Sequence, residues 1–176
     1  MRITGHLVAD ERANAAVEMA LVLPILLGIM MGAFELGNYF RSEHILLEGL
    51  RDGARYAARQ SLSSYSGCTG TPGGTIEADT KNVVRTGKVS GGTDRLPYWS
   101  DAATTFTVTV SCSTTVGSQT VAGIYRDFNN STGTFLGAPI VTVRAHLPYQ
   151  SVLATYGFTG IGMSINGSAQ AAVMGM

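Results

Sequence analysis

The run from Asn14 to Phe34, NAAVEMALVLPILLGIMMGAF, holds one charged side chain, Glu18, near its start. About 20 apolar residues at ~1.5 Å rise each match the ~30 Å hydrocarbon core of a bilayer, so this stretch predicts a membrane-spanning helix. An ionised carboxylate within such a span costs about 2.5–3.5 kcal/mol even on an insertion scale, so Glu18 needs a compensating role. The helical pattern then continues to Gln60. A helix from about Ala15 to Gln60 would be roughly 70 Å long, half in the membrane and half projecting as the spine of an outer domain.

A secretory signal peptide would be cut after its apolar core, at small residues in an A-x-A-like pattern. Here the core runs on through Glu35-Leu36-Gly37-Asn38-Tyr39-Phe40 into the helix. The better cut precedes the core, between Ala13 and Asn14, leaving residues 1–13 as a leader and Asn14 as the first mature residue. Cleavage there would create an α-amino group that is positive at neutral pH. Glu18 of a neighbouring subunit could neutralise it in a water-excluded core, and the buried pair would set axial register. The plainer alternative is a carboxylate at headgroup level near a helix N-terminus, favoured by the macrodipole by ~0.3–1 kcal/mol. Glu35 would mark the far end of the span.

Two further features of the span concern packing. Gly28 and Gly32 form a GxxxG that would let helices approach closely, and Ala33 to Gly37 repeats the small-xxx-small spacing. Pro24 removes one backbone hydrogen bond and would kink or locally open the helix. Beyond the span, Leu36, Phe40, Leu47, Leu50, Ala54 and Ala58 recur at helical spacing as a core-facing stripe. Arg51, Arg55 and Arg59 lie on another face, with Glu48 and Asp52 three residues before an Arg, as a solvated face or a partner contact.

The rest of the chain reads as one small, loop-rich domain over residues 61–176, with 22 Gly in the whole chain. Ser61 to Thr75 breaks the helix, and Thr75 is placed to cap a short helix from Ile76 to about Arg85. A loop follows through Gly91-Gly92 and Pro97-Tyr98-Trp99. From Thr104 the period becomes two, with Phe106, Val108, Val110 and Cys112 facing one way and Thr105, Thr107, Thr109 and Ser111 the other. Ile140–Tyr149 and Met163–Val173 read as further strands, separated from the first by a loop over 115–138. One long helix against three or four antiparallel strands is an α+β layer. The two cysteines, Cys68 and Cys112, include no CxxC and suit either a structural disulfide in an oxidising compartment or a pair of buried thiols. A disulfide would tie the post-helix loop to the first strand.

Charge and motifs narrow the function. With 14% charged residues and zero formal net charge, the chain lacks the basic surface that nucleic-acid binding requires. It has no GxSxG, Walker loop, HExxH or Cys/His metal spacing, and His6, His44 and His146 are scattered. Neither an enzyme nor a metal or cofactor site is expected. Asn130-Ser-Thr and Asn166-Gly-Ser fit the glycosylation acceptor pattern at the level chance would give in so Asn/Ser/Gly-rich a chain.

The segments Asn14-Ala-Ala-Val-Glu18-Met-Ala-Leu-Val-Leu-Pro24, Gly32-Ala-Phe-Glu35-Leu-Gly37 and Arg51-Asp-Gly-Ala-Arg55-Tyr-Ala-Ala together resemble TadE-type pseudopilins. These are minor pilin-like proteins of tight-adherence (Tad, or Flp) pilus systems, a branch of the type IV filament machinery. The resemblance covers about the first third of the chain, with Ala13 where Gly is commoner and Met19 where Phe or Tyr is usual. It implies a pilin-like fold, cleavage by a prepilin peptidase at the cytoplasmic face, and Glu18 as the glutamate five residues into the mature chain. Other Tad pilins, the pilus assembly platform and membrane lipid would be the partners. The implied organisation is a leader over 1–13, a span over 14–37, a periplasmic helix extension over 38–60 and an extracytoplasmic domain over 61–176. Lys/Arg counting alone gives no N-in topology; the cysteines and the resemblance do, in a bacterial inner membrane. The competing reading is a membrane-anchored periplasmic binding or adhesion module that never enters a filament.

Overall fold

A computed structural model describes residues 11–121, 123–156 and 162–175; residues 1–10, with most of the expected leader, lie outside the described residues. Helix α1, Glu11–Ala58, is a single helix of 48 residues that carries Pro24 inside it. The chain divides into two compact units, and α1 contributes to both.

The first unit holds α1 up to Asn38 and the segment beginning at Ser151, which includes a short 3-10 turn, Val152–Tyr156. Its helix is apolar on every side. Val17, Met19, Leu21, Val22 and Leu27 are all exposed and are spread around the helix at 100° per residue. A helix without a polar face has no water-facing side, which is the pattern of a membrane span or a filament core.

The second unit contains the rest of α1 and a small α+β domain. Its strands are β1 (Thr69–Gly70), β2 (Thr105–Ser113), β3 (Thr115–Val116), β4 (Gln119–Thr120), β5 (Ala138–Pro148) and β6 (Ser164–Ala172). The main sheet has the order β1-β2-β5-β6 and is antiparallel throughout, while β3 and β4 form a separate hairpin. The expected α+β class is therefore observed, with β1 as a two-residue addition at one edge. The period-two pattern of β2 holds: Val108 and Val110 are buried, and Thr105, Thr107, Thr109 and Ser111 are exposed. On β5 the inward residues are Val141, Val143, Ala145 and Leu147, and Ile165 extends the same core on β6. Leu46, Leu50, Ala54 and Ala57 of α1 close this core from the helix side.

Two local expectations change. The buried stripe of α1 does not include Leu36 or Phe40, which are 53% and 55% exposed. It keeps Leu50, Ala54 and Ala58 and adds Ser42, Leu46, Gly49, Gly53 and Ala57. The reason lies in α2 (Ile76–Thr86), which packs against α1 where glycines let it approach. Thr75 stands at the N-cap of α2 but makes no capping bond with its side chain; its hydroxyl donates to the Asp79 carboxylate at 2.7 Å. Gly87 ends α2 in the left-handed conformation, with its N–H donated to Val83 O at 2.8 Å.

Candidate assembly helix and its supports

Within the first unit, the expected site residues lie along the apolar part of α1. Ala13 and Asn14 have helical backbone. Glu18 is exposed. A Cβ added at Gly28, Gly32 or Gly37 would meet nothing within 4 Å, so these small residues leave open grooves on the helix surface. Glu35 has a more definite job than marking the end of a span. Its two carboxylate oxygens accept the backbone N–H groups of Val152 and Leu153, each at 3.2 Å. A carboxylate that takes two amide donors anchors the start of the 3-10 turn to α1.

In the second unit the small-residue motif that brings helices together is Gly49-Leu-Arg-Asp-Gly53. A Cβ at Gly49 would lie 2.7 Å from Val84 O, and one at Gly53 would lie 2.5 Å from Val84 Cγ2 and 3.2 Å from Thr80 Cγ2. Sequence reasoning weighted Gly28 and Gly32 and passed over this pair. The signal was present, since the GxxxG spacing is identical and the only added clue is the neighbouring amphipathic α2. Tyr56 lies on this side as well. Burial, then the Asp79 carboxylate beside it, raises its phenol pKa above the ordinary value. The Thr80 hydroxyl is buried here with no hydrogen-bond partner.

Cys68 and Cys112 form a disulfide with a Cα–Cα distance of 5.3 Å. It joins the post-helix loop to β2, one residue before β1 pairs Thr69 with Ser111. Tyr65 supports the same loop: its hydroxyl donates to Ala57 O at 2.6 Å, and burial pushes its pKa up to about 12. The charged stripe is solvent-facing. Arg51, Arg55 and Arg59 are exposed, and Arg55 makes a 3.8 Å ion pair with Asp52, worth at most a few tenths of a kcal/mol at such a surface. His146 pairs through Nδ1 with Asn166 Oδ1 at 2.5 Å on the outer face of the sheet.

An N-terminal helix long and apolar enough to cross a membrane, in a chain that also holds a small disulfide-tied α+β domain, suggests a membrane-anchored protein. Residues 14–55 match the family model of TadE-like proteins. No curated protein and no solved structure matches the chain.

Proposed function

We propose that this chain is a minor pilin-like subunit of a Tad-type pilus, made as a precursor, cut between Ala13 and Asn14 and held in the bacterial inner membrane before assembly. The observation that carries the reading is where the family match starts. The family match begins at Asn14, the residue that cleavage before the apolar run would make the new N-terminus. Among the described residues, the apolar run also leaves its side chains exposed on all faces, as subunits packed in a filament core require.

In this mechanism prepilin peptidase frees the Asn14 amine. The subunit then leaves the bilayer by exchanging lipid contacts for neighbouring helices. Open glycine grooves at Gly28 and Gly32 favour that exchange, because close helix approach gains dispersion contacts that lipid tails supply less well. Glu18 of one subunit meets the Asn14 ammonium of the next and fixes the step between them. The domain beyond Asn38 stays on the extracytoplasmic side, where the Cys68–Cys112 bond forms.

The mass of the mature N-terminus tests the processing step: a start at Asn14 supports the reading, and an intact leader or a cut beyond Phe34 overturns it. The register role of Glu18 has a separate test. Glu18→Gln is nearly isosteric and cheaper to insert, so membrane levels should hold. Removing one partner of a buried pair costs roughly 3–5 kcal/mol, so co-isolation with partner pilins should fall sharply. A carboxylate serving only the helix macrodipole predicts a loss of ~0.3–1 kcal/mol and unchanged co-isolation.

A further inference from the structure

We propose that the outer edge of β6 is a strand-addition site that takes an extended segment of another protein, with apolar residues at alternate positions. The register of the sheet shows why the edge is open. Tyr149 N–H bonds Met163 O and Val173 N–H bonds Pro139 O, both at 2.9 Å and both in line with the β5–β6 pairing. In an antiparallel ladder only every second residue bonds a given neighbour, so the odd-numbered residues of β6 bond β5. The N–H and C=O groups of Asn166, Ser168, Gln170 and Ala172 therefore point away from the sheet. Among the described residues nothing bonds them; at the start of the strand, Ser164 C=O accepts the Tyr39 hydroxyl at 3.2 Å.

Exposed edges are ordinarily blunted by charge, proline, a bulge or a covering element. β6, SINGSAQAA, has neither charge nor proline, and it is last in the sheet order. Beside it lies an apolar ledge. A Cβ at Gly167 would come 2.6 Å from Leu50 Cδ1 and 3.0 Å from Leu47 Cδ2, so α1 covers the strand closely there. Phe40, seven residues before Leu47 and on the same helix face, is 55% exposed. An added strand would direct alternate side chains toward this ledge, beside Gly167, Ala169 and Ala171. The remaining side chains would join the polar outer face with Asn166, Ser168 and Gln170. That division sets the chemistry of the partner.

A second copy of this chain fits less well. α1 and β6 run in the same direction: Tyr39 meets Ser164, Leu50 meets Gly167, and Met174 N–H bonds Ala58 O at 2.9 Å. Antiparallel β6–β6 pairing about a twofold would reverse the second copy and place its entry point at Tyr39 at the opposite end. Two chains so joined could not both lead into one membrane. That step rests on the proposed anchoring, whereas the open edge does not.

The test uses the full chain in detergent micelles and a synthetic peptide with the sequence of Ile140–Leu147, IVTVRAHL, which already complements β6 on its other side. A peptide of the same composition with its apolar residues in one block is the control. Amide hydrogen exchange followed by NMR should slow at least tenfold at residues 166, 168, 170 and 172 with the alternating peptide, and not with the control. Ser168→Pro removes one outward N–H while sparing the bonds to β5, and should weaken binding at least tenfold with native Trp99 fluorescence. Phe40→Asp, which leaves the strand intact, should weaken it several-fold. The proposal is overturned by unchanged exchange at the four amides, by equal binding to a folded Ser168→Pro variant, or by loss of protection at the odd-numbered amides, which would mean that the peptide had displaced β5. Protection of the four amides that rises with protein concentration alone would assign the edge to a second copy and overturn it too. None of these outcomes depends on leader cleavage, so the strand site and the pilus reading fail separately.

Discussion

Replacing both cysteines, Cys68→Ser with Cys112→Ser, tests how far this domain relies on its covalent tie. The bond closes a loop with a sequence separation of 44. The chain-entropy relation for such a loop gives about 4 kcal/mol, and measured disulfides of this kind deliver roughly 2–4 kcal/mol. Beyond the buried Tyr65 and its bond to Ala57 O, little else is placed to compensate: β1 pairs only Thr69 and Gly70 with β2. Urea unfolding of the full chain in micelles, followed by the fluorescence of the single, buried Trp99, reports on the domain rather than the span. With a slope of about 2 kcal/mol/M, the midpoint should fall by roughly 1–2 M. Reduction of the native protein should reproduce the shift. A shift below about 0.3 M at unchanged slope would refute the argument, because the loop would then be held by its non-covalent contacts alone.

Other perturbations separate packing from propensity. Thr80→Val replaces a buried, unpartnered hydroxyl with a methyl of similar shape, and should raise domain stability by about 1 kcal/mol in the same unfolding assay. Gly49→Ala should lower it by about 1 kcal/mol despite better helix propensity, since the new Cβ meets the Val84 carbonyl oxygen; Gly28→Ala, with open space around it, should leave the domain midpoint unchanged. The Tyr65 phenol has a folded pKa of about 12 against an ordinary value of 10.0. Its contribution is complete below pH 10 and is lost as pH rises toward 12, by about 2–3 kcal/mol in all. Tyr65→Phe should flatten that part of the alkaline stability profile.

Much of the architecture was legible because it rests on strong periodic signals. The end of the long helix, α2, β2, β5 and β6 all fall within a residue or two of where apolar spacing puts them. The misplaced face of α1 has one physical cause. A periodicity reading gives weight to large apolar side chains and none to glycine or serine. The α1 face built from Ser42, Gly49 and Gly53 was therefore invisible, and the stripe was rotated toward Leu36 and Phe40. Those two side chains do not enter the core; Phe40 lies on the face shared with Leu47. Glu35 was legible as a charge at the end of a span but not as a ligand for two amides, because its partners are 117 and 118 residues away in sequence. Thr75 was read as a cap because its position is right. The nearby Asp79 carboxylate takes its hydroxyl instead. At the candidate assembly helix, sequence pattern proposes Glu18, Gly28 and Gly32, and among the described residues these three are exposed.

The closing of α1 by the final strand has a consequence for the order of events during synthesis. Leu46 and Leu50 on the helix wait for Ile165 and Gly167, and the last helical carbonyl, that of Ala58, waits for the amide of Met174. Those partners are made long after the helix residues they join. The outer domain can therefore close on α1 only once they have been made. At about 5–20 residues per second, the separation of 116 positions from Ala58 to Met174 keeps this face of α1 open for several seconds or more. Where the chain places β6 thus sets a minimum time before the outer domain can fold.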